Sequence, residues 1–576
     1  MSKIIFANRD DGLGERLRSI LNALYLSSKL NLEFKFYWKV LNASADNIDG
    51  NKLSPVFVPD KRDIFSDEFI EKFFKEDLEQ NYFDEFGKYK RKSIEEFLLN
   101  PPSYHPYICT QKRLDLIFND IKDEYLNSTK KIWENIGFNE KLKSVFNQAR
   151  QKAKFIGSFS ALHIRSGDVI FDKKFQKSVI SKSIYHRALA IPLALEIINI
   201  EIQNNNKIII FSDDLDLLQS FKNNLSKVLN LTLKQENSII YSIDLNIKFD
   251  NLAYQILYEN YLMSLSNKIY CTSNSGFANL AVLIGSKKEE IYIYEYFSYK
   301  EQYEILEKYI DKLEMHRYQN VFSCYQAYRI SLELNKPLYV SKKWLDKALT
   351  YDQDNDVFRV LFVYCLFLEK NISGIDLYLK NHIIDKDRFA SFCEILFHVY
   401  AYTYLYDFIF DLFLKYADYK YQYISLFASC IALNLNYNYA YSRCRDYIQN
   451  ENLLLLQNNF HKNSILTGAV YRMKNHLSYK IGEVIANNYN HVCKMIKIPF
   501  KIIYIYISHK YLNKEKLPPL YSYADYFKAE KFVKNHPYYI LGDSFIKANK
   551  NWYKLGHIQF IKDCFKLHKK FIRLIN

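Results

Sequence analysis

Four short stretches of this chain gather side chains that bind anions or move protons. The first is Asn8-Arg9-Asp10-Asp11-Gly12-Leu13-Gly14-Glu15-Arg16-Leu17, in a chain with only 14 glycines. Glycines between a strand and a helix permit a tight turn and let a ligand reach the backbone N–H groups at the helix start. Gly12 and Gly14 lack the third glycine of a dinucleotide fingerprint. Asp11 and Glu15 are candidate proton acceptors, and Arg16 is a candidate anion ligand. The bland alternatives are helix capping by Asp11 and, for Glu15, a first-turn acid favoured by the helix dipole.

The second stretch is Ser160-Ala161-Leu162-His163-Ile164-Arg165-Ser166-Gly167-Asp168. Alternation along a strand puts His163 and Arg165 on one face and Ile164 on the other. The strand stops at a glycine, and ligands of α/β sheets bind at strand ends. Arg165 can grip a phosphate bidentately or pair with Asp168 on the surface. His163 can face that ligand or be a hydrogen-bonded core residue. The remaining stretches, Phe211-Ser212-Asp213-Asp214 and Cys271-Thr272-Ser273-Asn274-Ser275-Gly276-Phe277, each end a strand-like run. Their hydroxyls, amide and free N–H groups suit the phosphates, ribose or base of a nucleotide sugar. Asp213 and Asp214 suit a metal, a ribose or the cap of the following helix.

These residues need a scaffold that brings strand ends together. Runs 3–7, 33–37, 160–165, 207–212, 239–243, 268–272 and 290–294 read as strands, and 15–29, 189–203, 252–265 and 276–284 as helices. Such alternation makes parallel sheets. It falls into two α/β blocks, 1–150 and 151–310. Residues 311–470 read as helical, with a fragment of a hairpin repeat at 344–352, and 471–576 as a basic helical tail. In that tail, Asn-His-Leu-Ser-Tyr-Lys-Ile-Gly at 475–482 returns as Asn-His-Pro-Tyr-Tyr-Ile-Leu-Gly at 535–542, an offset of 60 residues. The pair reads either as one helical packing unit used twice or as two basic amphipathic elements, 494–503 and 550–561, meeting anionic lipid.

Composition bounds the function. With 576 residues, 49% hydrophobic and 25% charged, the chain is globular and long enough for three or more structural units. The net charge is +15, and residues 494–576 hold 17 Lys or Arg against 5 Asp or Glu. A basic tail can meet nucleic acid or an anionic membrane surface. It carries no RNP, helix-turn-helix or zinc-knuckle pattern, which sets nucleic acid aside. The 9 cysteines include no CxxC pair, which fits neither a disulfide framework nor a zinc site and points to a reducing compartment. Charges at Arg9, Asp10 and Asp11 leave no apolar run for a signal peptide. The expectation is a cytoplasmic protein at the inner face of the cytoplasmic membrane, with no metal and no cofactor.

In their order and spacing, the Gly-rich start, His163-x-Arg165, Ser212-Asp213-Asp214 and the run from Tyr261-Leu262-Met263-Ser264 to Ser273-Asn274-Ser275 resemble the fucosyltransferase superfamily of GT-B fold. The α1,2 branch is the closest in pattern, with the α1,6 and protein O-fucosyl branches as relatives. The resemblance covers residues 1 to about 300. The Leu-Ser-Tyr-Lys-x-Gly element at 477–482 is similar to one at the ends of sugar transferases of bacterial surface-polysaccharide loci. What this implies is an α/β fold of two Rossmann-like halves of GT-B type, 1–150 on the acceptor side and 151–310 binding the donor, followed by a mainly α-helical C-terminal region. It further implies a GDP-fucose or related GDP-sugar donor, inverting and metal-independent transfer, and a capsule polysaccharide or lipooligosaccharide acceptor. Arg165 would contact the donor diphosphate, with Ser273, Asn274 and Ser275 on the donor side. Gly12, Gly14, Arg16, His163, Asp168, Ser212, Asp213 and Asp214 complete the expected donor site, and Glu15 or Asp11 would be the base. The chain departs from the family at Glu15-Arg16, at Ser166 in place of a second arginine, and at Ala278-Asn279-Leu280 in place of an aromatic tail. Two other readings stand beside this one: transfer of a nucleotide-activated phosphoramidate-type group onto capsular sugar, and a non-catalytic capsule-assembly scaffold.

Overall fold

Short apolar runs make the strands, and helices between them force the strands parallel. The computed structural model describes residues 4–560 apart from 42–45, 55, 77–92, 100–106, 173–176, 179–185, 246–248, 274, 286–288, 384, 401–402, 436, 468–472, 474–475, 489–497, 513–536 and 551–559. Strands β1 (Ile4–Ala7), β2 (Glu33–Phe36) and β3 (Tyr107–Ile108) form a parallel sheet of order β2-β1-β3. Helix α1 (Leu13–Leu30) joins β1 to β2 and ends at Asn31, whose φ of 50° is the left-handed conformation that stops a helix. Leu17, Ile20, Leu21 and Leu26 bury its core face.

The second sheet contains β4 (Phe159–Ile164), β5 (Lys207–Ser212), β6 (Ile239–Tyr241), β7 (Lys268–Cys271) and β8 (Glu289–Tyr292), all parallel, in the order β6-β5-β4-β7-β8. Every residue of β4 is buried, as befits a central strand covered on both faces. The chain builds outward from β4 to β5 and β6, then crosses to the other side for β7 and β8. The strand order therefore reverses between β4 and β7. The surrounding helices are α2 (Lys122–Asn135), α3 (Glu140–Ile156), α4 (Ile191–Gln203), α5 (Leu215–Leu229), α6 (Leu252–Ser264) and α7 (Gly276–Gly285). They continue as α8 (Tyr299–Tyr309), α9 (Arg317–Glu333), α10 (Leu338–Tyr351) and α11 (Asp356–Leu368).

Most expected elements are present within a residue or two. The run at 239–243 shortens to β6 because Ser242–Asp244 closes into a 3-10 turn, and 290–294 shortens because Ile293–Tyr296 already coils into a helix. Several elements were not anticipated, among them helices α2, α3 and α5, the two-residue strand β3, and the hairpin Asp46–Ile48 with Asn51–Leu53.

The chain divides into two compact units, Met1–Glu369 with Glu394–Leu405 and Lys370–Cys393 with Tyr406–Asn576. The first holds both sheets and α1–α11. A buried ionic cluster joins its two sheets: Arg113, in the loop after β3, pairs with both Asp115 and Glu290 of β8. Below the sheet, the buried Glu201 accepts from Ser160 Oγ at 2.6 Å, Tyr270 OH at 2.7 Å and Asn206 Nδ2 at 3.1 Å. Those donors offset the cost of burying a carboxylate.

In the second unit, Phe389, Phe392 and Phe413 pack around Phe427. The two repeat copies lie on helices Leu477–Asn488 and Pro537–Lys550, which cross at Gly482 and Gly542. A Cβ at Gly482 would strike the Tyr538 carbonyl, and a Cβ at Gly542 would strike the Ser478 carbonyl, so the crossing is reciprocal. Tyr479 and Tyr538 meet edge to face at 5.5 Å, and His476 stacks on Tyr539. The repeat is thus a packing unit used twice. Asn475, Asn535, His536, residues 494–497 and most of 550–561 lie outside the described residues. Among the described residues, no helix is long and apolar enough to cross a membrane.

Candidate functional site

The reversal of strand order between β4 and β7 opens a crevice at their C-terminal ends, the usual ligand position in an open α/β sheet. Three of the four sequence stretches converge there, since β5, β4 and β7 are adjacent. Strand β4 delivers His163 and Arg165, and β7 leads into Thr272, Ser273 and Ser275.

Ser275 caps α7: its Oγ accepts from Ala278 N at 3.3 Å, and its carbonyl accepts from Asn279 N at 2.9 Å. The same Oγ lies 3.1 Å from His163 Nδ1, a hydrogen bond across the switch point. Phe277 stacks on the imidazole with centroids 5.1 Å apart. Burial, reinforced by the nearby Arg165 charge, pushes the His163 pKa down to about 3, so the ring is neutral. His163 is therefore a core residue that ties β4 to α7. Arg165 is half-buried beyond it.

The fourth stretch arrives from the other sheet. A Cβ on Gly14 would sit 2.9 Å from Gly276 O, so the first turns of α1 and α7 touch backbone to backbone. Only glycine allows that approach. The Glu15 side chain lies across Gly276 and accepts from Arg18 at 3.0 Å. Its negative charge sits at the starts of two helices, where their dipoles favour it. Gly12 precedes α1 with open space where a Cβ would point. Asp11 is paired with Arg9 and remains partly exposed. Arg16 is 2% exposed, donates to Asp11 O at 2.6 Å and Lys39 O at 2.5 Å, and lies over the Trp38 ring. Burial lowers its pKa against the pull of Asp11. Arg16 thus holds the Gly-rich loop in shape.

Asp213 and Asp214 are used by the scaffold. Asp213 accepts from Ser166 N at 2.8 Å and presses on Gly167, fixing the turn after Arg165. Asp214 is fully buried: Oδ1 caps α5 through Leu217 N at 3.0 Å, and Oδ2 accepts from Gln319 Nε2 at 2.7 Å. Burial is the largest influence on its pKa and raises it. Ser212 Oγ accepts from Asp214 N at 3.1 Å. The helix-cap alternative is the one realised at Asp214. Ser273 lends its carbonyl to Asn279 Nδ2 at 3.2 Å. Asn274 lies outside the described residues, as does the side chain of Asp168. Among the described residues, no cluster of His, Cys, Asp and Glu is arranged to hold a metal ion.

Sequence reasoning passed over Arg187. Its carbonyl accepts from Thr272 Oγ1 at 2.8 Å, and two residues on, Leu189 N donates to Arg165 O at 3.1 Å. The segment therefore crosses the ends of both β4 and β7. His186 is held below its ordinary pKa chiefly by burial and then by the charges of Arg187 and Arg329. The only available signal was a His-Arg pair ahead of an apolar helix. Ser166, which stands where the family pattern has a second arginine, has a buried Oγ with no hydrogen-bond partner among the described residues.

A family model described as Domain of unknown function (DUF8374) matches residues 419–573, all within the second unit. No curated protein matches the chain. Among solved structures, NodZ alpha-1,6-fucosyltransferase soaked with GDP-fucose shares 13% identity at a TM-score of 0.26, over 49% of this chain and 93% of that one. Fucosyltransferase NodZ from Bradyrhizobium shares 11% identity at a TM-score of 0.26, over 49% and 93% of the two chains. POFUT1 in complex with GDP shares 9% identity at a TM-score of 0.28, over 51% and 98%. Similarity at this level identifies no corresponding site.

Proposed function

We propose that this protein is a glycosyltransferase that moves a sugar from a nucleotide donor, best read as GDP-fucose or a related GDP-sugar, onto a capsule polysaccharide or lipooligosaccharide acceptor. The observation that carries this reading is the meeting of three motif stretches at the β4–β7 switch point, where Arg165 follows β4 and the backbone of the Arg187 segment crosses the ends of both strands. Guanidinium groups near the N-terminus of a helix are the groups that suit a diphosphate. The motif resemblance supplies the donor class, and the organisation it implies is a GT-B pair of halves, 1–150 and 151–310.

In the reaction, the bond from the anomeric carbon to the diphosphate oxygen breaks as the bond to the acceptor oxygen forms, with inversion. Negative charge grows on the leaving oxygen, and Arg165 with the N–H groups of the α7 turn stabilises it. The acceptor hydroxyl gives its proton to a carboxylate. Both candidates are ion-paired, Asp11 with Arg9 and Glu15 with Arg18; Asp11 is the more exposed and Glu15 also lies across Gly276, so Asp11 is assigned as base and Glu15 as the residue that positions α1 against α7. Gly12, Gly14, Arg16, His163, Asp168, Ser212, Asp213 and Asp214 shape the donor site, and Ser273, Asn274 and Ser275 border it. No metal takes part. A nucleotide-activated phosphoramidate-type group would use the same cradle, since the arginines grip only the phosphates.

The basic C-terminal region would hold the enzyme at the inner face of the cytoplasmic membrane. In its helix Ile498–Leu512, Ile503, Tyr504 and Tyr506 are exposed beside Lys501. The test of function is transfer from GDP-fucose to a lipooligosaccharide or capsule acceptor, followed by release of GDP. Arg165→Ala is expected to lose at least 99% of turnover, by analogy with loss of an oxyanion-stabilising donor worth about 100-fold. Full activity in that variant removes the leaving-group role.

A further inference from the structure

A second polar cavity lies at the opposite end of α5 from the crevice. Asp214 caps the start of α5, and the cavity opens past its last turn, between Lys227 and Asn230 and the loop after α8. Along a helix of 15 residues these ends are about 22 Å apart. The cavity has a volume of about 880 Å³ and is lined also by Tyr309, Lys312, Asn320 and Tyr351.

Its charges do not all cancel internally. Lys308 is paired with Glu196, and Asp311 is taken by Lys347 and the Tyr351 hydroxyl. Lys227 and Lys312 have no ion-pair partner among the described residues, against one lining acid in the same state, Glu314. Asn320 is 8% exposed, and its Oδ1 is buried with no hydrogen-bond partner among the described residues. A buried acceptor left without a donor costs stability, and a ligand hydroxyl would relieve that cost.

We infer that this cavity binds an oligosaccharide bearing carboxylates. Sugar hydroxyls would donate to Asn320 Oδ1, the partly exposed Tyr351 ring offers a flat face to a pyranose ring, and Lys227 and Lys312 meet the anionic groups. In use, the cavity would be a second hold on the glycan acceptor; that part rests on the glycosyltransferase reading. Oligosaccharide binding is measured without transfer, so failure of the cavity and failure of the catalytic reading are distinguishable.

The experiment is isothermal titration of the full chain with a uronic-acid tetrasaccharide and with its carboxyl-reduced counterpart. The expected result is saturable binding of the acidic sugar and weaker binding of the reduced one. The Lys227→Ala/Lys312→Ala double variant weakens binding at least about tenfold. Asn320→Ala weakens it about fivefold, and Arg165→Ala leaves it unchanged. Both lysines are surface residues, so the double variant folds whatever happens at Asn320. Absence of saturable binding, equal affinity for both sugars, or binding indifferent to the cavity variants would overturn the proposal.

Discussion

Acidification offers a direct test of how the switch point is built. His163 is buried against Phe277 and Ser275, with Arg165 as the nearby charge, and titrates near 3 instead of near 6.5. Between those values the unfolded chain binds a proton that the folded chain refuses. Stability from this site therefore falls as pH drops below about 6.5, by up to about 1.4 kcal/mol per pH unit, and stops falling near the folded pKa. Between pH 7.5 and pH 4.5 the loss amounts to about 2.5 kcal/mol. His163→Gln removes the titrating group while keeping a polar side chain, so it is less stable at neutral pH but lacks this acid-dependent increment. The assay is urea unfolding at both pH values, followed by the fluorescence of Trp38, Trp133 and Trp344, which all belong to the first unit. Other carboxylates titrate equally in both proteins, so the wild type should lose about 2.5 kcal/mol more than the variant over this range. Equal losses would show that His163 is protonated in the fold, and the account of a neutral histidine joining β4 to α7 would fail.

Other perturbations probe the rest of the scaffold. Gly14→Ala drives a Cβ to 2.9 Å from the Gly276 carbonyl and should cost about 1–3 kcal/mol in thermal unfolding, together with a loss of donor affinity. In the second unit, Gly482→Val breaks the reciprocal helix crossing; its melting transition should fall while that of the first unit, followed by Trp133 fluorescence, stays in place. Asp11→Asn should lower kcat by at least about 100-fold with little change in donor affinity, as expected for loss of a general base. A change in KM alone would return that role to Glu15.

The parts of this fold written plainly in the sequence are those where one physical signal dominates. β4 is an uninterrupted buried run, read one residue late at each end, and β5, buried after Lys207, was readable with both ends. The hairpin Asp46–Ile48 with Asn51–Leu53 carries no apolar alternation. Tertiary bonds hold it, such as Ser54 N to Asp213 O at 2.7 Å and Lys52 N to Asp216 at 2.7 Å, and local pattern cannot show them. The site divides the same way. Motif spacing singled out His163, Arg165 and Ser275; the fold sets His163 against Ser275 as a buried tie between β4 and α7, with Arg165 half-buried beyond. The division between ligand contact and scaffold was not legible, because Asp214 as a buried cap and Asp214 as a ribose ligand have the same sequence. The backbone at Arg187 meets the ends of β4 and β7 only through the path of its loop, which local pattern does not show.

The central claim is that the crevice beside Arg165 holds a nucleotide diphosphate. The measurement that tests it most directly is thermal unfolding of the purified protein with GDP, UDP, CDP and their sugars, since a ligand of the folded state raises the melting temperature by mass action. The account predicts a shift with GDP or GDP-fucose that is absent in Arg165→Ala. A shift of the same size in that variant, or no shift with any nucleotide at millimolar concentration, would contradict it.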